Sequence, residues 1–167
     1  RLDKDTSGIL VVAKTKLAQR NLTRAFMRKQ AEKRYLAIAA GEPKPESGEI
    51  EAPIGRDAEA KLWKVIPDGK PALSRYTVLE RSGEYSLVEL EPVTGRTNQL
   101  RIHLESIGHP ILGDHQRGGG TADRLYLHAH KLTIPHPISN ALLTFEAPMP
   151  REFDRFTARV SANVSVS

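Results

Sequence analysis

Arg1-Leu2-Asp3-Lys4-Asp5-Thr6-Ser7-Gly8-Ile9-Leu10 opens the chain and decides how the rest of it is read. Two carboxylates, two cations, two hydroxyls and a glycine fall within eight residues, and the apolar run Ile9–Ala13 follows at once. Bounded by Gly8 and Lys14 and rich in β-branched residues, that run predicts a buried strand. The polar cluster then sits on a turn at the mouth of a rigid element, a common place for chemistry. Asp3 has two readings on residue types alone. It can be a turn or capping carboxylate. It can also be a reactive one, kept ionised by Arg1 and Lys4 and able to act as nucleophile or base. Composition leaves both open.

The remainder bounds the class of molecule. At 167 residues the chain suits one domain with a real core. Hydrophobic residues at 39% and charged residues at 27% are ordinary for a globular protein. No apolar stretch approaches a membrane span, and no signal-peptide pattern opens the chain. With no cysteine, disulfides and thiolate metal sites are excluded. A net charge of +5 favours a polyanionic partner.

Working outward, Lys14 to Gln30 predicts a helix whose apolar stripe is Ala18, Leu22, Ala25 and Phe26. Lys16, Arg20, Arg24, Arg28 and Lys29 lie mostly off that stripe, as a solvated face or a phosphate-facing one. Glu32 to Gly41 predicts a strand with Tyr35, Ala37 and Ala39 on one face. Pro43, Pro45, Ser47 and Gly48 mark a loop, and Glu49–Gly55 a short edge strand. Leu73–Leu79 and Tyr85–Val93 alternate around a turn, as an antiparallel hairpin does. Trp63, the sole tryptophan, reads as core.

A second informative stretch is Gly95-Arg96-Thr97-Asn98-Gln99-Leu100-Arg101-Ile102-His103-Leu104. Thr97 is the expected N-cap, Leu100, Leu104 and Ile107 form the stripe, and Gly108 and Pro110 end the helix. Free backbone N–H groups beside Arg96 make a seat for phosphate. Arg101, one step off the stripe, is either solvated or paired with Asp3. Gln116–Gly120 reads as a mobile loop. Leu125–Ile134 predicts a strand with His128 and His130 on one face. A zinc pair there, with His136 following, lacks a third ligand at suitable spacing, so no metal site is assigned. Leu142–Phe145 closes as a strand, and Arg151–Ser167 as a short helix with a weakly ordered tail.

These stretches resemble a known family. RLDKDTSGILVVAK is similar to the catalytic motif H-R-L-D-x-x-T-S-G, followed by an apolar strand, of the RluA family of RNA pseudouridine synthases. The leading His is missing. Lys33–Gly41 is similar to the family's K-x-Y-x-A-x-x-G with an extra residue, Ala40, before Gly41, and Gly95–His103 to G-R-T-H-Q-L/I-R-V-H with Asn98 in place of His. Gly108–Asp114 is similar to G-H-P-I-x-G-D, Leu127–Leu132 to L-H-A-x-x-L, and Phe145–Pro150 to F-x-A-P-x-P. After Asp114 the family more often carries an aromatic before a glycine, and here Arg117 stands before Gly118.

The resemblance implies an α+β fold: a mostly antiparallel mixed sheet with flanking helices and a central basic cleft. It implies that residues 1–150 are a catalytic domain lacking its N-terminal part, with 151–167 a short helix and tail. The implied reaction isomerises uridine in structured ribosomal or transfer RNA to pseudouridine, after the base is flipped out. Asp3, Tyr35 and Arg101 take the catalytic positions: Asp3 as the carboxylate, Tyr35 stacking on the base and serving in proton transfer, Arg101 keeping Asp3 ionised. Arg1 fills the space left by the base, and Lys4, Arg96, Thr97, Asn98 and Gln99 contact RNA. No cofactor and no metal is expected, and the expected setting is a cytoplasmic monomer away from membranes. Two other classes remain open: a catalytically incomplete RNA-binding fragment, and a hydrolase using Asp3 and Asp5 as an acid–base pair.

Overall fold

The structure, a computed structural model, describes residues 1–157. Its centre is a seven-stranded sheet in the order β1-β8-β2-β7-β6-β3, with β9 also on β8. The strands are β1 (Ser7–Gly8), β2 (Glu32–Ala40), β3 (Ser47–Glu51), β6 (Leu73–Ser82), β7 (Tyr85–Pro92), β8 (Leu127–Pro135) and β9 (Leu142–Glu146). Every pairing is antiparallel except β1 on β8. A separate two-stranded ribbon, β4 (Ile54–Arg56) and β5 (Trp63–Val65), stands beside it. Two helices, α1 (Lys16–Met27) and α2 (Gln99–Ser106), complete the α+β architecture.

The expected hairpin of alternating residues is β6–β7, running from Ser74 opposite Pro92 to Ser82 opposite Tyr85. The main core gathers β2 and β7 (Leu36–Ala39, Leu87, Val88, Leu90) under Leu100 and Leu104 of α2, closed by Tyr126 and Phe153. A second cluster sets Leu22 of α1 on Leu132 and Ile134 of β8. A third joins Ile102 of α2 to Ile54, Ala72 and half-buried Trp63. Helix α2 therefore bridges the sheet and the small ribbon.

Several expectations are corrected. Ile9–Ala13 is not a buried strand. Only Ser7–Gly8 form ladder pairs, and beyond Ile9 the edge of β8 is taken by β9. Ile9, Val11 and Ala13 still face the second cluster, while Val12 is 75% exposed. The first helix starts later, capped by Thr15, whose hydroxyl accepts the Ala18 N–H at 3.1 Å. It ends at Met27, with Lys29 left-handed at φ 57°. The expected Glu49–Gly55 strand is two strands, β3 and β4, on different sheets. Gln116–Gly120 is no open loop: His115–Arg117 form a 3-10 turn held by the buried Arg117. The short closing helix is a 3-10 helix, Arg151–Phe156, with Phe153 fully buried. The tail from 158 onward lies outside the described residues.

Candidate active site

The opening decapeptide reaches its place through Gly8. Its φ of +110° is one that side-chain-bearing residues rarely adopt, and a Cβ there would lie 2.2 Å from the Ala129 carbonyl oxygen. Ala129 pairs with Gly8 on one edge of β8 and with Tyr35 on the other. That contact fixes the first turn next to Tyr35, although the two are far apart in sequence. Arg124 Nη2 donates to Ser7 Oγ at 2.5 Å, and Ser7 shares a 2.8 Å bond with His128 Nδ1, which fastens β1 to β8. The Thr6 N–H then closes a turn on the Asp3 carbonyl at 3.1 Å, with Asp5 left-handed at φ 69°.

Asp3 faces a cleft of about 700 Å³. One wall is the turn itself (Arg1, Leu2, Asp3, Thr6), another the end of α1 with Lys33 and Tyr35, and the third the β7–α2 connection from Pro92 to Gln99. Among the described residues four cations line it, Arg1, Lys29, Lys33 and Arg96, against one carboxylate, Asp3. Lys4 and Asp5 are exposed and lie off the cleft. A hydrolytic pair of Asp3 and Asp5 therefore lacks its second carboxylate there.

Burial dominates the Asp3 carboxyl and raises its pKa above the ordinary 3.8. Arg101, the backbone N–H of Asn98, Arg1 and Arg117 oppose that rise in this order, without overcoming it. This corrects the expectation that cations hold Asp3 firmly ionised, and Lys4 takes no part. A desolvated carboxylate is a stronger base and nucleophile than a solvated one. Tyr35 is pushed up to about 12, first by burial and then by the charge of Asp3. Its hydroxyl keeps its proton across the neutral range and can donate a hydrogen bond.

Arg101 does not form its ion pair with Asp3. Its guanidinium forks onto Asp114, Nε to Oδ2 at 2.6 Å and Nη2 to Oδ1 at 2.8 Å, and Nη1 donates to Asn98 Oδ1 at 3.2 Å. Asn98 is left-handed at φ 53° and occupies the helix cap without a side-chain cap bond, so Thr97 is not the cap. An asparagine tolerates that conformation. It joins the two groups: its side chain binds Arg101 while its backbone N–H faces Asp3.

Gln99 is also corrected. It is 3% exposed, and its amide is used up inside: Oε1 accepts from Thr94 and from the Arg96 N–H, and Nε2 donates to the Leu73 carbonyl and Ser74. It shapes the turn and has no bond left for RNA. Arg96 anchors Nε on the Pro71 carbonyl at 3.0 Å and lines the cleft beside exposed Thr97. His128 and His130 bind Ser7 and the Ala147 carbonyl, and no cluster able to hold a metal occurs among the described residues.

Sequence reasoning did not single out Lys33, Phe26 and Met27 as cleft walls, or Asp114 and Arg117 as the support behind Arg101. Arg117 donates to Glu105 and to the Trp63 carbonyl, both at 2.7 Å, and its Nε lies 3.9 Å from Asp114. The available signal was the spacing of Arg101 and Glu105, four apart and so on one helix face, opposite a Gly-Asp pair.

Comparison with known proteins places the chain in a family. The family model for RNA pseudouridylate synthase matches residues 1–106. The chain is 43% identical over 157 residues to an uncharacterized RNA pseudouridine synthase of Chloroflexus aurantiacus, covering 91% of this chain and 49% of that protein. It is 42% identical over 155 residues to the dual-specificity RNA pseudouridine synthase RluA of Escherichia coli, covering 89% and 71%. Human RNA Pseudouridylate Synthase Domain Containing 1 superposes with a TM-score of 0.79 at 32% identity, covering 89% and 66%. The chain spans about half the length of several curated relatives it matches.

Proposed function

The chain belongs to the RNA pseudouridylate synthase family, and from that premise we propose that it isomerises uridine in structured ribosomal or transfer RNA to pseudouridine. The observation that carries this reading is a single desolvated carboxylate, Asp3, sharing a cleft with Tyr35 where, among the described residues, every other charged lining residue is a cation. Such a cleft draws in a polyanion and confronts it with one reactive anion.

The reaction breaks the N1–C1′ bond, turns the uracil and joins C5 to C1′. N1 gains a proton and C5 loses one, so nothing is oxidised or reduced. The target base must first leave its stack, at about a few kcal/mol. Asp3 is placed to attack or stabilise the electron-poor centre formed as the N1–C1′ bond breaks. As the one carboxylate on the cleft, it is also the available base for the C5 proton. Tyr35 supplies a ring for the base and a protonated hydroxyl. Asn98 and Arg101 hold the local field around Asp3. Arg96 and Thr97 sit where a phosphate would approach the start of α2.

The test uses RNA from cells lacking this protein, incubated with the chain or its Asp3→Asn variant. Pseudouridines are then mapped by carbodiimide labelling and primer extension. New stops with the parent alone support the reading and name the uridine. RNA that is bound without new stops makes the chain an RNA-binding fragment instead.

A further inference from the structure

The opening turn supplies Asp3, the β7–α2 wall Arg96 and the facing wall Tyr35, but the remainder of that facing wall has no role in the reaction above. It carries an unusual pair of features. Phe26 and Met27, in the last turn of α1, are 41% and 80% exposed, yet both line the cleft. Lys33, two residues before Tyr35, also lines it, half-buried. Among the described residues Lys33 has no carboxylate partner, and burial alone lowers its pKa from the ordinary 10.5. An unpaired, partly desolvated ammonium is costly unless a ligand brings the anion. Two adjacent large apolar side chains at the mouth of a cationic cleft are likewise unfavourable without a flat apolar partner. Lys29, left-handed just beyond the helix, adds a further cation to the same wall.

We propose that this wall is a second nucleotide subsite: Phe26 and Met27 stack a base next to the target uridine, and Lys33 binds that nucleotide's phosphate. The proposal rests on the RNA reading of the cleft, and it commits to RNA because each wall of the cleft carries a cation and Asp3 is the one anion among its described lining residues. Nucleotides supply both a phosphate for Lys33 and a π face for the apolar pair, and such stacking accepts any base.

The test measures binding of a fluorescein-labelled RNA stem–loop with an all-uridine loop over a range of KCl concentrations. Phosphate contact and stacking separate in this experiment, because only the former changes the salt slope. Lys33→Met is expected to reduce the slope of log K against log salt by about one, with Lys33→Arg restoring it. Phe26→Ala/Met27→Ala is expected to bind roughly tenfold more weakly with the slope unchanged. Met27→Trp, at a mostly exposed position, is expected to bind more tightly. An unchanged slope in Lys33→Met, or parental affinity in the Phe26/Met27 double variant, overturns the subsite. Binding that follows these expectations without pseudouridine formation leaves the subsite standing and removes the isomerase reading. No binding by the parent chain removes both.

Discussion

The Arg101 guanidinium and the Asp114 carboxylate form a two-pronged ion pair at 2.6 and 2.8 Å, with the Asp114 side chain only 1% exposed. Asp114 thereby sets the position of Arg101, and Arg101 acts on Asp3 through space and through Asn98. Its charge is partly neutralised by Asp114 before it reaches the Asp3 carboxylate, which is one reason why burial prevails there.

Asp114→Ala leaves Arg101 buried without its partner. A loss of about 3–5 kcal/mol is expected, read as a fall of about 10 °C in Tm. Replacing both, as Arg101→Met/Asp114→Leu, is expected to recover most of the stability and none of the activity. Thermal melts beside turnover separate the two roles. If activity also returns in the double variant, Arg101 has only a packing role.

In the proposed reaction Asp3 acts in its ionised form, so turnover is expected to rise with pH through its pKa, with that limb above the ordinary aspartate value. Arg101→Gln removes the strongest of the lowering influences and is expected to move the limb to higher pH, further than Arg1→Gln does. The stability sign is the reverse. Folded Asp3 binds its proton more readily than unfolded Asp3, so stability falls as pH rises between the two values. Asp3→Asn is thus expected to melt at the parent temperature or higher at neutral pH, while losing at least about a hundredfold in rate.

Gly8→Ala forces a Cβ against the Ala129 carbonyl in a strained backbone conformation. A destabilisation of about 1–3 kcal/mol is expected from the conformation alone. Displacement of the Asp3 turn should reduce turnover more than RNA affinity. Gly108→Ala, also at positive φ (+82°) but in open space, serves as the control with strain and no clash.

His103 is buried in its neutral form, sharing a bond with Ser74 through Nδ1 at 2.9 Å and donating Nε2–H to the Ala52 carbonyl. Burial lowers its pKa, and that of His128, below the ordinary 6.5. Unfolded histidines take protons first as pH falls, so stability is fully present above about 6.5 and declines below it. Denaturant midpoints between neutral and mildly acidic pH check this, and His103→Gln should flatten part of the decline.

Much of this was legible from local signals. The β6–β7 hairpin follows from alternation around Gly83, and Tyr35's strand from its own pattern. Asp3, Tyr35 and Arg101 were placed by motif, and the fold brings all three near one another. What local signals could not supply was competition between partners. Arg101 reads from sequence as solvated or paired with Asp3, and only the turn at Gly113–Asp114 brings up the carboxylate that it binds. Ile9–Ala13 has a strand's residues, yet β9 claims the neighbouring edge. Gln99 looked like a polar group at a helix start, and only the closeness of Leu73, Ser74 and Thr94 turns it inward. Lys33 stood in a matched motif without a role, and Met27 carried no signal of its own, because a cleft wall built from two elements has no sequence pattern.

In the proposed reaction Asp3 drives isomerisation in place. Forming the C5–C1′ bond expels the C5 hydrogen, so RNA carrying tritium at uridine C5 reports it directly. Such RNA, from cells lacking this protein, is incubated with the parent, Asp5→Asn and Asp3→Asn chains. Tritium in water is expected from the parent and Asp5→Asn, none from Asp3→Asn, and no free uracil from any. Tritium release by Asp3→Asn at the parent rate, or uracil set free by the parent, would contradict it.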